Sequence, residues 1–320
     1  MRVAPTIVVT DHAFANVDHE RRVAAEHGAA FTEGSCTTAA ETIEIARDAD
    51  IVFVNFAPID RSVLSVLAPG ATVIRYGVGY DNVDLEAAAE LGVQVANVPD
   101  YGIQTVADHA AAALLALGRR LPLYDHAIRA NGWVGPSGLG PVRSFRDSTV
   151  GFVGFGKIAQ AVAERLAPFG FRFLAHDPYA NEERLAALSV DSVTLDELAA
   201  ESNAISLHAP STPETYRMID AAFLARMPEG AVLVNTARGS LVDEAALYDA
   251  LNSGRLAGAA LDVTDPEPIP ADSPLRTLPS VILTPHAAFY DEQSLNNLQR
   301  LASEEADRAL RGQTLRCRVA

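Results

Sequence analysis

Six residues, Gly154-Phe155-Gly156-Lys157-Ile158-Ala159, and a later acid, Asp177, have the types and spacing to hold a dinucleotide. In this G-x-G-x-x-A pattern Gly154 permits a tight turn and Gly156 lets backbone approach a pyrophosphate. Ala159 is small enough for a helix to pack closely on a strand. The start of the following helix offers N–H groups and a positive dipole end to the phosphates. Asp177 comes at about the twenty-residue separation expected of a carboxylate that hydrogen-bonds the adenosine ribose. It favours NAD over NADP, because a 2′-phosphate would face its charge. Lys157, the sole lysine in the chain, reads equally well as a solvated first-turn side chain and as a phosphate contact.

Three polar groups follow at the ends of later apolar runs, where open α/β sheets bind ligands. Thr236-Ala237-Arg238-Gly239-Ser240 sets a guanidinium fork, suited to a carboxylate, among small residues. Asp262-Val263-Thr264-Asp265-Pro266-Glu267-Pro268 is an acidic, Pro-rich turn, and Thr284-Pro285-His286 closes a short strand. Taken singly, each has a plain structural reading: a paired Arg, a rigid solvated turn, a satisfied histidine.

These groups need a scaffold, and the chain supplies one by repetition. Thr6 to Thr10, Ile51 to Asn55, Thr72 to Tyr76 and Val93 to Val98 read as strands. Helical patterns at Val17 to His27, Thr38 to Arg47, Arg61 to Leu67 and Leu85 to Leu91 lie between them. The rhythm predicts a parallel α/β domain in the first hundred residues. A long Ala/Leu-rich helix from Gly102 to Arg120 and a Gly/Pro-rich stretch from Asn131 to Pro141, holding the only tryptophan, Trp133, precede a second β-α series. That series begins at Thr149, with strands at Phe171 to His176, Ala204 to His208, Ala231 to Thr236, Leu256 to Asp262 and Val281 to Thr284. A last amphipathic helix, Glu292 to Arg311, has no neighbour that periodicity can name.

Composition narrows the function classes. At 320 residues the chain can build two cores. A net charge of −16 argues against a nucleic-acid surface, which needs a basic face. Cys36 and Cys317 have no metal-ligand spacing and read as free thiols of a cytoplasmic protein, with no metal site. The run MRVAPTIVVTD leads into Asp11 as a first strand and not as a signal peptide. The apolar run Ala110 to Leu117 is too short to cross a membrane.

Taken together and in order, N235-TARG-S240, D262 through Glu267-Pro268, and T284-P-H286 behind the glycine turn resemble the D-isomer-specific 2-hydroxyacid dehydrogenase family. The likeness extends upstream through Arg75-Tyr76-Gly77-Val78-Gly79-Tyr80-Asp81-Asn82-Val83-Asp84 and Thr105 to His109, so it covers nearly the whole chain. The run Val106 to Leu115 is similar to the branch of C-terminal-binding-protein corepressors and their bacterial dehydrogenase relatives. Ala159 in place of a third glycine, and Asp108 where many relatives have Glu, are the departures.

The resemblance implies two doubly wound parallel-sheet α/β domains. A Rossmann NAD-binding domain, residues 102–289, is inserted in a smaller flavodoxin-like substrate domain, residues 1–101 plus 290–320. It implies an NAD-dependent oxidoreductase passing a hydride between NADH and a 2-oxo acid to give a D-2-hydroxy acid. His286 is then the general acid and base, Glu267 orients it, and Arg238 holds the substrate carboxylate and polarises the carbonyl. Backbone N–H groups of Val78 and Gly79 cradle the carboxylate. Gly154, Gly156, Lys157 and Ile158 take the pyrophosphate and Asp177 the ribose. Ala209, Thr215, Thr236, Ala237 and Asp262 line the path from adenine to nicotinamide, which Thr105 approaches. The family also implies a homodimer paired through the long helix.

Two alternatives stand beside this reading. One is an NADH-sensing corepressor-like scaffold, against which the chain lacks long disordered tails. The other is a phosphoglycerate-type dehydrogenase, for which Arg75 is the one first-domain candidate to hold a phosphate. Asn55, Phe56, Ala57, Tyr76, Tyr101, Phe289 and Tyr290 favour instead an apolar side chain on the acid.

Overall fold

The computed structural model describes residues 4–320 and divides into two compact units, Met1–Gly102 with Tyr290–Ala320, and Ile103–Phe289. Residues 1–3, the start of the run read as leading into a first strand, lie outside the described residues.

The first unit alternates β1 (Thr6–Val9), α1 (Asp18–Glu26), β2 (Ala30–Glu33), α2 (Ala39–Ala46), β3 (Ile51–Val54), α3 (Arg61–Leu64), β4 (Thr72–Arg75), α4 (Leu85–Leu91) and β5 (Gln94–Ala96). Its sheet is parallel, in the flavodoxin-like order β2-β1-β3-β4-β5. Strands β3 and β4 are buried on both faces, which is why they read as unbroken apolar runs. The unit also takes in the last helix of the chain, Glu292–Leu310, which sets Leu298, Ala302 and Ala306 against Ile7, Val9, Ile51, Phe53 and Ile74. Under it lies a buried polar cluster: Tyr76 Oη donates to Glu20 Oε1 at 2.8 Å and Gln299 Nε2 to Glu20 Oε2 at 3.3 Å.

The second unit runs α5 (Ile103–Gly118), α6 (Leu121–Asn131), β6 (Thr149–Val153), α7 (Lys157–Leu166), β7 (Arg172–His176), α8 (Glu182–Ala187), β8 (Val190–Ser192), α9 (Leu195–Glu201), β9 (Ala204–Leu207), α10 (Ala221–Arg226), β10 (Ala231–Asn235), α11 (Glu244–Asn252), β11 (Leu256–Leu261) and β12 (Val281–Leu283). The sheet order is β12-β11-β10-β9-β6-β7-β8, parallel throughout. Its strand order therefore reverses between β6 and β9, which opens a crevice at their carboxyl ends. Helices α5 and α7 cover one face with Ala107, Ala110, Leu114, Ala159 and Val162. The other face is closed by α9, α10 and α11 through Leu198, Phe223 and Leu247.

Three elements are absent from the sequence reading. The short edge strands β2 and β8 bury few side chains and so show no apolar signature. Helix α6 buries only Ala127, which leaves no amphipathic stripe to read.

Candidate active site

The glycine turn lies at the crevice between β6 and β9, and its two glycines are there for different reasons. Gly154 has φ +83°, and a Cβ on it would stand 2.9 Å from Ala209 N and the carbonyl of His208. The fold itself requires glycine there. Gly156 has φ −73° and a Cβ on it would meet nothing within 4 Å, so nothing inside the protein demands its lack of a side chain. It caps the amino end of α7, and Lys157 and Ile158 form that helix's first turn. Ala159 is fully buried against the sheet. Just past β7, Asp177 reaches back to the turn, its Oδ2 accepting from Phe155 N at 2.8 Å and its Oδ1 from Tyr179 N at 2.8 Å.

Further along the same edge the ends of β10, β11 and β12 bring three predicted residues together. His286 Nδ1 lies 2.9 Å from Glu267 Oε2, and Glu267 Oε1 accepts from Thr264 N at 3.2 Å. Burial pushes the Glu267 carboxyl up, but the hydrogen bond and charge of His286, the Thr264 N–H and the Arg238 guanidinium outweigh it, and the net direction is down. An ionised carboxylate only accepts, so His286 carries its proton on Nδ1 towards Glu267. Arg238 is tied down at its backbone, where its carbonyl accepts from Asn235 Nδ2 at 2.8 Å, and its Nη1 donates to Ala237 O at 2.7 Å.

The turn that carries His286 is held by Asp262, a residue sequence reasoning gave only to the cofactor path. Asp262 is 4% exposed. Its Oδ1 accepts from Thr284 Oγ1 at 2.5 Å and Ala287 N at 2.8 Å, its Oδ2 from Ala288 N at 2.9 Å, and its carbonyl from His286 N at 2.8 Å. His286 itself sits at φ +50°, a left-handed conformation that persists only where neighbours over-determine it.

The remaining predicted residues of this unit differ in what they offer. The Thr236 hydroxyl is buried without a hydrogen-bond partner among the described residues. Thr215 Oγ1 is engaged in its own loop, donating to Pro210 O at 2.7 Å and accepting from Thr212 N at 2.8 Å. Ala209 backs Gly154, Ala237 N donates to Asn235 Oδ1 at 3.0 Å, and Thr105 is half-buried in the first turn of α5.

In the first unit, the carbonyls of Gly77 and Val78 accept from Val98 N at 2.9 Å and Asn97 Nδ2 at 2.7 Å. The N–H groups of Val78 and Gly79 donate to nothing among the described residues, so two adjacent donors stand available to an anion. Beneath them Arg75 is 8% exposed, with its Nη1 on Tyr76 O at 2.6 Å and its guanidinium 5.8 Å from the Phe56 ring centre. The crevice of this sheet, between β1 and β3, is filled by the chain itself: Asp11 accepts from Asn55 N at 3.0 Å, Phe56 N at 2.6 Å and Ala57 N at 3.2 Å. Nothing in the sequence alone singled out Asp11.

Residues 111–288 match the family model for the D-isomer specific 2-hydroxyacid dehydrogenase NAD binding domain. The chain belongs to this family. Over 267 residues it is 41% identical to the D-3-phosphoglycerate dehydrogenase of Mycobacterium bovis, covering 83% of this chain and 50% of that one, so it spans about half the length of that relative. It is 40% identical over 276 residues to the glyoxylate reductase of Korarchaeum cryptofilum, covering 85% and 82% of the two chains. The solved structure of the TT0316 protein of Thermus thermophilus superposes with a TM-score of 0.87 at 34% identity, over 98% of this chain and 100% of that one.

The residues of this family member fit NAD. The open space over Gly156 at the amino end of α7 and the Thr236 hydroxyl, buried without a partner among the described residues, are features that the protein's own packing leaves unexplained and that a bound dinucleotide would use. Asp177 stands beside the turn and is hydrogen-bonded to it. Among the described residues no cluster of His, Cys, Asp and Glu could hold a metal ion, and no helix is long and apolar enough to cross a membrane.

Proposed function

We propose that this chain is an NAD-dependent reductase of 2-oxo acids, giving D-2-hydroxy acids, and catalyses the reverse oxidation. The observation that carries the reading is the pair His286 Nδ1 to Glu267 Oε2 at 2.9 Å, with Arg238 close enough to help hold Glu267 ionised. Bound NADH would supply the hydride of the reduction, and bound NAD+ would take it up in the oxidation. Gly154, Gly156, Lys157 and Ile158 hold its pyrophosphate, Asp177 its ribose, and Ala209, Thr215, Thr236, Ala237, Asp262 and Thr105 line its path. His286 gives a proton from Nε2 to the oxygen that becomes the hydroxyl and removes it in reverse, while Glu267 orients the ring. Arg238 polarises the reacting carbonyl and holds the carboxylate. The N–H groups of Val78 and Gly79 take the carboxylate as a backbone nest.

Purified protein is expected to oxidise NADH with at least one of glyoxylate, pyruvate, phenylpyruvate and phosphohydroxypyruvate. His286→Ala should abolish turnover and keep NADH binding. Silence with the whole panel would overturn the proposal. A phosphorylated acid is the second reading, favoured by the likeness to mycobacterial phosphoglycerate dehydrogenase. The burial of Arg75 under Gly77 speaks for an unphosphorylated substrate, and the ranking of phenylpyruvate against phosphohydroxypyruvate decides.

A homodimer accounts for the apolar side chains exposed along and after α6: Leu121, Ile128 and Trp133. Sedimentation equilibrium tests it. The cytoplasm is the proposed compartment, since Cys36 and Cys317 form no disulfide.

A further inference from the structure

His109, in the second turn of α5, is the residue whose place in the fold has no account in the machinery described above. Its Nε2 lies 3.2 Å from Thr284 Oγ1 and 4.0 Å from Asp262 Oδ1. The polarity of this contact follows from counting protons. A threonine hydroxyl has one hydrogen to give. Asp262 Oδ1, 2.5 Å from Thr284 Oγ1, belongs to a buried carboxylate that already accepts from two backbone N–H groups, and it takes that hydrogen. Thr284 Oγ1 is left able only to accept from His109, so Nε2 of His109 carries a proton. The direction of donation is His109 Nε2–H to Thr284 Oγ–H to Asp262 Oδ1.

Asp262 is also the residue that fixes Ala287, Ala288 and, through its carbonyl, His286. The left-handed backbone of His286 therefore depends on a carboxylate whose orientation is set from behind by a hydroxyl, and that hydroxyl by His109. The neighbouring acid on α5 does not compete for the imidazole. Asp108 accepts from Arg165 Nε of α7 at 2.6 Å, and Arg165 is further tied to Gln104 Oε1 at 2.6 Å.

We propose that His109 is a positioning residue for the reaction proposed above: donating from Nε2 through Thr284 to Asp262, it holds the turn that presents His286. The inference rests on that functional reading, but its proton assignment can be tested apart from turnover. His109→Leu removes the donor. His109→Gln keeps an N–H within reach of Thr284.

With whichever 2-oxo acid of the panel the wild type reduces fastest, His109→Leu should lower kcat about tenfold, as for a displaced catalytic group. KM and the NADH Kd should change less than about twofold, and His109→Gln should recover kcat to within about threefold. Thr284→Val should reproduce the loss, and the His109→Leu, Thr284→Val double variant should be no slower than Thr284→Val alone. In 15N-histidine NMR spectra of the full chain, His109 Nε2 should show the shift of a protonated nitrogen, and the His286 resonances should move in His109→Leu. Wild-type kcat in His109→Leu, no recovery in His109→Gln, or an unprotonated Nε2 would each overturn the proposal. A chain inactive on every 2-oxo acid but with Nε2 protonated and His286 shifted in His109→Leu would refute the activity and keep the positioning.

Discussion

Glu267 grips His286 by one ring nitrogen, Oε2 to Nδ1 at 2.9 Å, and so sets which way the ring faces. The acid is held below its ordinary range against the opposing effect of its own burial, so its contribution to stability is present above the unfolded value and is lost as pH falls through the folded one.

Glu267→Gln should preserve the contact and remove the charge. The imidazole then loses its carboxylate partner, and kcat/KM for reduction should fall about tenfold, the equivalent of about 1.4 kcal/mol. Steady-state reduction of the best 2-oxo acid checks this, and a wild-type kcat/KM would separate Glu267 from the proton transfer.

Alanine at the two glycines of the turn should have opposite signatures. Gly154→Ala forces a left-handed residue against the Ala209 and His208 backbone and should cost about 1–3 kcal/mol in urea unfolding. Gly156→Ala should leave unfolding within about 0.5 kcal/mol of wild type and weaken NADH binding by fluorescence titration, because its free space serves only a ligand.

Thr236→Val is expected to be neutral or stabilising without cofactor, since it replaces by a methyl a buried hydroxyl with no partner among the described residues. NADH affinity should nevertheless drop about tenfold, the loss of one hydrogen bond of roughly 1.4 kcal/mol. Weaker binding together with an unchanged or raised Tm identifies the hydroxyl as a ligand contact.

Glu20 gives the molecule a pH dependence outside the catalytic groups. Burial raises its carboxyl, against the hydrogen bonds from its backbone, Tyr76 and Gln299. A raised acid favours folding when protonated, so stability is full below the unfolded value and declines as pH rises through the folded one. Glu20→Gln should flatten that decline; urea midpoints of the two proteins that fall in parallel with pH would show that Glu20 is not its source.

The parts of this molecule that were legible in its sequence are those with a local signature. Strands such as Ile51–Val54 announce themselves by burial on both faces, and the glycine turn by its spacing from Asp177. Arg238, Glu267 and His286 could be read only as a set, in order and through family likeness, because each alone has a structural reading. Asp11 and His109 escaped because their meaning lies in partners 45 and 175 residues away. A lone acid or histidine carries no mark of what it will hold. The structure adds that Gly154 answers to the fold, whereas a side chain on Gly156 would meet nothing within 4 Å.

The same doubly wound plan occurs twice in this chain, yet the two sheets meet solutes differently. In the first, the Asp11 carboxylate already occupies the amide donors at the reversal of strand order, a resident anion built into the polypeptide and never released. The open space over Gly156 belongs to the second crevice, where the dinucleotide is proposed to bind. NADH should thus titrate to a single equivalent per chain, along a simple hyperbola, however closely the architecture of one half imitates the other.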